Sequence, residues 1–184
     1  MIVTNESELR SKCKVVEPER GLEIGAKLAL ELEKSSDGIG LAAPQIGIDG
    51  RVFVFIKEDG GLVFAINPTI LSREDPFLYA KEGCLSFPGK TIKRIRYNKL
   101  VWKDQFRKDA FTLEGRDAVV FDHENDHLDG VLMFDRAEPS KYDKCFCGSE
   151  EKYKFCCFKE MNGKTKIHKN ESSKDQETNS QDPG

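Results

Sequence analysis

The run Asp122-His123-Glu124-Asn125-Asp126-His127 constrains this chain more than any other segment. Two histidines four positions apart share one face of an α-helix, so a helix here aims both imidazoles at one point. They are two of only three histidines in the sequence. Glu124 follows the first and can face a water at the ion rather than the ion itself, where it takes that water's proton and passes it on. The competing reading is a pair of surface histidines among charged neighbours, because the pattern also arises by chance. A catalytic ion needs a third protein ligand and one open position. Cys84, in Glu82-Gly83-Cys84-Leu85-Ser86, is the leading candidate; a small buried apolar side chain is its alternative role.

Gly38-Ile39-Gly40-Leu41-Ala42-Ala43-Pro44-Gln45 is a second segment of interest. Two glycines one residue apart permit a sharp turn or close backbone approach to a ligand. No Gly-Lys-Ser/Thr ends it, so it is not a phosphate loop. The Gln45 amide can donate to a developing oxyanion.

Around these segments, Glu19 to Lys34 reads as an amphipathic helix, Arg51 to Ile56 as a strand, and Asp59-Gly60-Gly61 as a hairpin turn into a strand over Leu62–Ile66. Asn67-Pro68 stops that strand, further strands fall in Lys99–Lys103 and Ala110–Leu113, and a helix runs from Asp117 to near Gly130. Strands first and a helix last predict an α+β domain. Three zones follow: a catalytic domain over 1–139, a cysteine-rich segment over 140–160, and a polar tail over 161–184. The tail has almost no large apolar residue and is expected to be disordered.

The formal charge is -3, from 29 basic and 32 acidic residues, which argues against a dominant DNA-binding surface. No apolar run approaches the roughly 18 residues that span a bilayer. The first residues carry neither a signal core nor a transit pattern, so the expected location is cytoplasmic. Cys145, Cys147, Cys156 and Cys157 crowd into a short stretch, and without a secretory signal they predict a closed four-sulfur zinc site rather than disulfides. Metal binding would then supply the folding energy of a segment too short for its own core.

Taken together and in order, Gly38–Gln45, Glu82–Ser86 and His123–His127 resemble the three signature motifs of peptide deformylases, over about residues 2–137. The resemblance implies a domain of antiparallel sheets around a central metal-bearing helix. It implies an enzyme that removes the formyl group from the N-terminal methionine of new polypeptides and releases formate. Cys84, His123 and His127 would bind the catalytic ion, Fe2+ or Zn2+, with Glu124 moving the proton. Gln45 and the Leu85 backbone N–H would hold the oxyanion. Gly40 would present backbone to the peptide, and Val119 and Val120 would help receive the methionine side chain.

Two positions depart from that pattern. Asp122 stands where the family usually has Gln; its carboxylate could hydrogen-bond behind a metal ligand and alter that ligand's basicity or face solvent, and the solvent-facing side of the helix is the favoured expectation. Arg116 stands where many relatives carry an apolar residue, and it is expected to make the mouth of the methionine pocket polar. The cysteine segment resembles the SEC-C zinc motif, which implies bound Zn2+ and docking, through Lys141, Lys144, Lys152, Lys154 and Lys159, on the ribosome or a chaperone. A zinc endopeptidase is the rival enzyme class, with its third ligand downstream at Asp129, Asp135 or Glu138. A non-catalytic adaptor is the third reading.

Overall fold

The computed structural model describes residues 1–106, 109–136, 138–146 and 149–161. The expected disordered tail and Cys147 lie outside the described residues. After a short helix α1 (Glu6–Leu9), helix α2 (Pro18–Leu32) starts with a proline, tolerated in a first turn because its missing N–H has no intrahelical partner there. Ile24, Leu28 and Leu32 form its buried stripe.

Strands β1 (Gly40–Ala42), β2 (Val52–Ile56) and β3 (Leu62–Ile66) make an antiparallel sheet in that order. The hairpin turn between β2 and β3 falls at Gly60, whose positive φ of 85° suits glycine. The run Val52-Phe53-Val54-Phe55 is apolar without alternation because both faces of β2 are covered. Val52 and Val54 pack with Ile24, Leu28 and Leu32 of α2, whereas Phe53 and Phe55 face the opposite way.

A second antiparallel sheet comprises β4 (Thr69–Gly83), β5 (Thr91–Lys103) and β6 (Phe111–Glu114). Helix α3 (Gly115–Leu128) packs against strands of both sheets, and every residue from Asp117 to Leu128 is buried. Phe121 sets its depth: that ring lies edge-on to Phe53 at 4.8 Å and beside Trp102 at 4.5 Å between centroids. The helix ends at Gly130 (φ 68°), where the Gly130 N–H donates to the His127 carbonyl and the Val131 N–H to the Asp126 carbonyl. That pairing satisfies the last carbonyls of the helix. The class is α+β, as expected.

Strand β4 and the first half of β5 are not visible in the sequence pattern. Buried positions of β5 do alternate, at Arg94, Arg96, Leu100 and Trp102, but two of the four are arginines. Period-2 reading relies on apolar inward residues, and charge at those positions hides it. On the outward face, Leu78 joins Cys145 and Tyr153 in an apolar cluster, with Ile95, Cys156, Cys157 and Phe158 against it. The cysteine-rich segment is therefore packed on the β4–β5 sheet.

Candidate active site

Helix α3 carries six consecutive polar residues, Asp122 to His127, and all are buried. Polar groups removed from water need partners, so this stretch must be explained by what surrounds it. His123, one turn before His127, faces a cavity of about 510 Å³ whose wall also includes Gly40, Gln45, Cys84, Leu85, Val119, Val120 and Glu124. Cys84 sits in the turn that follows β4, where the Phe87 N–H donates to its carbonyl at 2.9 Å. Its Sγ lies 3.3 Å from His127 Nε2. One donor atom each from Cys84, His123 and His127 lies within 4.8 Å of the other two. A tetrahedral ion with bonds of about 2.0–2.3 Å holds its ligand atoms roughly 3.3–3.8 Å apart, so this donor set fits one.

Gln45 lies on the 3-10 turn that follows β1. Its Oε1 accepts from the Ala42 N–H at 2.8 Å, which fixes the amide's orientation. Its Nε2 then points at Ser86 Oγ, 3.2 Å away, and Cys84 Sγ, 3.5 Å away. Gly40 explains the glycine of its segment: a Cβ there would stand 2.5 Å from Glu124 Oε1. Only a bare backbone lets β1 pass so close to that carboxyl group. Glu124 Oε2 is itself buried with no hydrogen-bond partner among the described residues.

Electrostatics separates the titrating groups. Burial pushes the Glu124 carboxyl up to about 7, with Glu82 adding to the rise and His123 and Arg96 opposing it. That is where a group exchanging protons near neutral pH works best. Burial, followed by the positive His123, drives His127 well below the usual imidazole value and leaves it neutral, a ready ligand. For His123 burial acts in the same direction, but the Cys84 sulfur and the Glu82 carboxylate outweigh it and raise it well above the usual value.

Glu82 is the functional residue that sequence reasoning passed over. Its Oε1 lies 2.8 Å from His123 Nδ1, which places the ring proton there and frees Nε2 for an ion. A register shift in the β4–β5 pairing between Tyr79 and Glu82 accompanies this inward placement. Burial opposes the charge on Glu82, yet Arg96 holds it well below the usual carboxylate range. The only hint in the sequence is its place next to the Gly83-Cys84 pair.

Asp122 corrects an expectation. It does not face solvent: it is 1% exposed and pairs with Arg73 at 2.8 Å and Arg96 at 2.6 Å. The Arg116 guanidinium donates to the Ile56 carbonyl at 3.2 Å and lies 3.8 Å from Glu58. Of the downstream acids, Asp129 pairs with Arg51 at 2.7 Å and Asp135 with Arg10 at 2.8 Å. The Glu138 N–H donates to the Lys93 carbonyl on β5. Cys145, Cys156 and Cys157 bring three sulfurs within 4.8 Å of one another.

A sulfur and two imidazoles converging at a cavity floor, beside a buried carboxyl group on the same helix, define the class: a metal-dependent hydrolase. Residues 1–143 match the family model described as polypeptide deformylase. A peptide deformylase from Thermotoga petrophila is 40% identical over 143 residues, covering 76% of this chain and 87% of the relative. One from Clostridium botulinum is 42% identical over 135 residues, covering 71% and 90%. Among solved structures, the peptide deformylase of Thermus thermophilus superposes with a TM-score of 0.67 at 34% identity, covering 75% of this chain and 84% of that one. That of Thermotoga maritima gives 0.61 at 38% identity, covering 76% and 97%. The chain belongs to the polypeptide deformylase family, and it is an enzyme that removes the N-formyl group from newly made polypeptides.

Proposed function

We propose that Cys84, His123 and His127 hold a divalent cation, Fe2+ or Zn2+, and that this centre hydrolyses the formyl amide of N-formylmethionyl peptides in the cytoplasm. The reading rests above all on one observation: the donor atoms of Cys84, His123 and His127 cluster within 4.8 Å, and Cys84 and His123 line the cavity that also takes in Glu124. Bound there, the cation supplies Lewis acidity and makes hydroxide available near neutral pH. A thiolate in the ligand set also favours a softer metal than an all-carboxylate set would.

The chain's own residues do the rest. Glu124, with its carboxyl group raised to about 7, accepts the proton of the attacking water and delivers it to the departing amine. Water's oxygen bonds to the formyl carbon, the carbon–nitrogen bond breaks, and formate leaves with a free N-terminus. The Gln45 side-chain N–H, held in place through Ala42, and the Leu85 backbone N–H receive the oxyanion as it forms. Val119 and Val120 line the cavity as apolar surface for the methionine side chain, and Gly40 offers backbone to the peptide.

For the C-terminal segment, we propose a structural Zn2+ held by Cys145, Cys156 and Cys157 with Cys147, and docking on the ribosome or a chaperone. Support comes from the three clustered sulfurs and from an exposed surface on which Lys154 lies over the rings of Tyr142 and Phe155. Cosedimentation with ribosomes that survives deletion of residues 140–184 would rule out this docking.

The catalytic reading is tested by formate release from a formyl-Met peptide, using anaerobically prepared ferrous protein. Release is expected from the native chain and not from Glu124→Ala. Equal release from both would contradict the reading.

A further inference from the structure

Behind the cavity lies a buried ionic network larger than the chemistry of the site requires. Arg96, fully buried, grips Glu82 with two parallel hydrogen bonds, both 2.7 Å. Its remaining nitrogen donates to Asp122 at 2.6 Å and to Asp126 at 2.9 Å. Arg94 donates to Asp126 and, at 3.1 Å, to the Leu132 carbonyl. Arg73, about a third exposed, reaches in from β4 and donates to Asp122 at 2.8 Å. Asp122 and Asp126 are one helical turn apart, as are His123 and His127, each aspartate one position before a histidine. The helix thus turns its imidazoles toward Cys84 and the Asp122 and Asp126 carboxylates toward β5.

Three carboxylates (Glu82, Asp122 and Asp126) face two buried guanidiniums (Arg94 and Arg96), with His123 beside Glu82 and Arg73 at the rim beside Asp122 as the further positive groups. A buried ion left without its partner is costly, so each member constrains the others. Both Asp122 oxygens are used, one by Arg73 and one by Arg96.

We propose that Asp122, balanced by Arg73, is a positioning residue for the catalytic cation. It holds Arg96 in the orientation that fixes Glu82, and Glu82 fixes the His123 ring with Nε2 toward the ion. The inference rests on His123 being a ligand, as proposed above, and concerns how that ligand is held.

The test compares the native chain with Asp122→Asn, Arg73→Gln and the charge-neutral double variant. Two readouts are taken: the rate at which zinc-loaded protein yields its catalytic zinc to a chelator, and the His123 Nδ1–H proton resonance of the metal-free protein. Groups that orient a ligand typically change metal affinity about 10–100-fold when lost, so Asp122→Asn should release zinc faster by that order. The Nδ1–H signal should then broaden into solvent exchange, while the KM for formyl-Met peptide stays unchanged. The double variant should regain both a slow release and a sharp signal, because Asn can still accept from Arg96 and no charge is left unpaired. If Asp122→Asn does not fold, Arg73→Gln carries the test from the rim, with faster release at an unchanged melting temperature.

Release and resonance unchanged in a folded Asp122→Asn would overturn the proposal. So would a double variant no better than the single. A lower melting temperature with native zinc retention would reduce Asp122 to a fold-stabilising role and overturn it equally. The ligand assignment fails separately, through absent formate release or zinc binding in the native chain, whereas the Nδ1–H resonance reports the brace without any metal.

Discussion

Gly40 and Glu124 touch across the cavity so closely that a single added methyl group would stand 2.5 Å from the carboxylate oxygen. The group in the way is the end of a side chain, so the protein can yield by moving Glu124. Gly40→Ala is therefore expected to fold with little loss of stability but to misplace the proton carrier. A displacement of this size costs about 10²-fold in rate when it falls on a catalytic group. Steady-state kinetics on a formyl-Met peptide, set beside a thermal melt, checks it.

Gln45 gives a second expectation. Leucine at this position removes the N–H held toward Cys84 and Ser86 while keeping similar bulk. Loss of one oxyanion donor lowers kcat by about 10²–10³-fold. The effect should fall on kcat rather than KM, with the metal content unchanged. A variant whose defect lies in KM would place Gln45 in substrate binding instead.

The raised Glu124 makes the metal-free protein sensitive to pH in a direction opposite to ordinary carboxylates. Its value climbs from 4.5 to about 7 in the fold, so between those limits the folded state holds a proton that the unfolded chain has released. Stability from this group is full below 4.5 and is lost as pH rises through about 7. Glu124→Gln removes the loss. Denaturant melts of the metal-free proteins should show the variant gaining on the native chain by on the order of 3 kcal/mol between about pH 4.5 and about pH 8. Parallel stability curves would contradict this.

Gly130 governs the end of the helix that bears both histidines. An alanine there adopts a φ of 68° and sets its Cβ 2.2 Å from the Arg10 carbonyl oxygen, which is backbone and cannot swing aside. The left-handed conformation costs about 1–2 kcal/mol, and the clash adds to it. A loss of at least about 2 kcal/mol in a denaturant titration is the expected outcome.

Much of the fold and site is legible in the amino-acid sequence alone, and the exceptions share a cause. Helix α2, strands β2 and β3 and the helix ending near Gly130 announce themselves through apolar periodicity and glycine punctuation. Cys84 does not, because a lone cysteine carries no spacing signal; only its neighbours in a resembling family single it out. Strand β4 and the first half of β5 escape pattern reading because Glu82, Arg94 and Arg96 occupy inward positions that it assigns to Val or Ile. The same substitution of charge for apolar bulk sends Asp122 to the wrong side of its helix. Charged residues are read as solvated by default, and here they are paired with one another across a helix–sheet contact.

The central claim is that one sulfur and two imidazoles share a cation that keeps an open corner. Anomalous diffraction at the iron edge, from crystals of the ferrous protein grown without oxygen, tests it most directly. A peak about 2.0–2.4 Å from Cys84 Sγ, His123 Nε2 and His127 Nε2, with Glu124 outside bonding distance, is the expected result. A peak that leaves Cys84 unbound, or whose fourth position is filled by a protein side chain, would contradict the account.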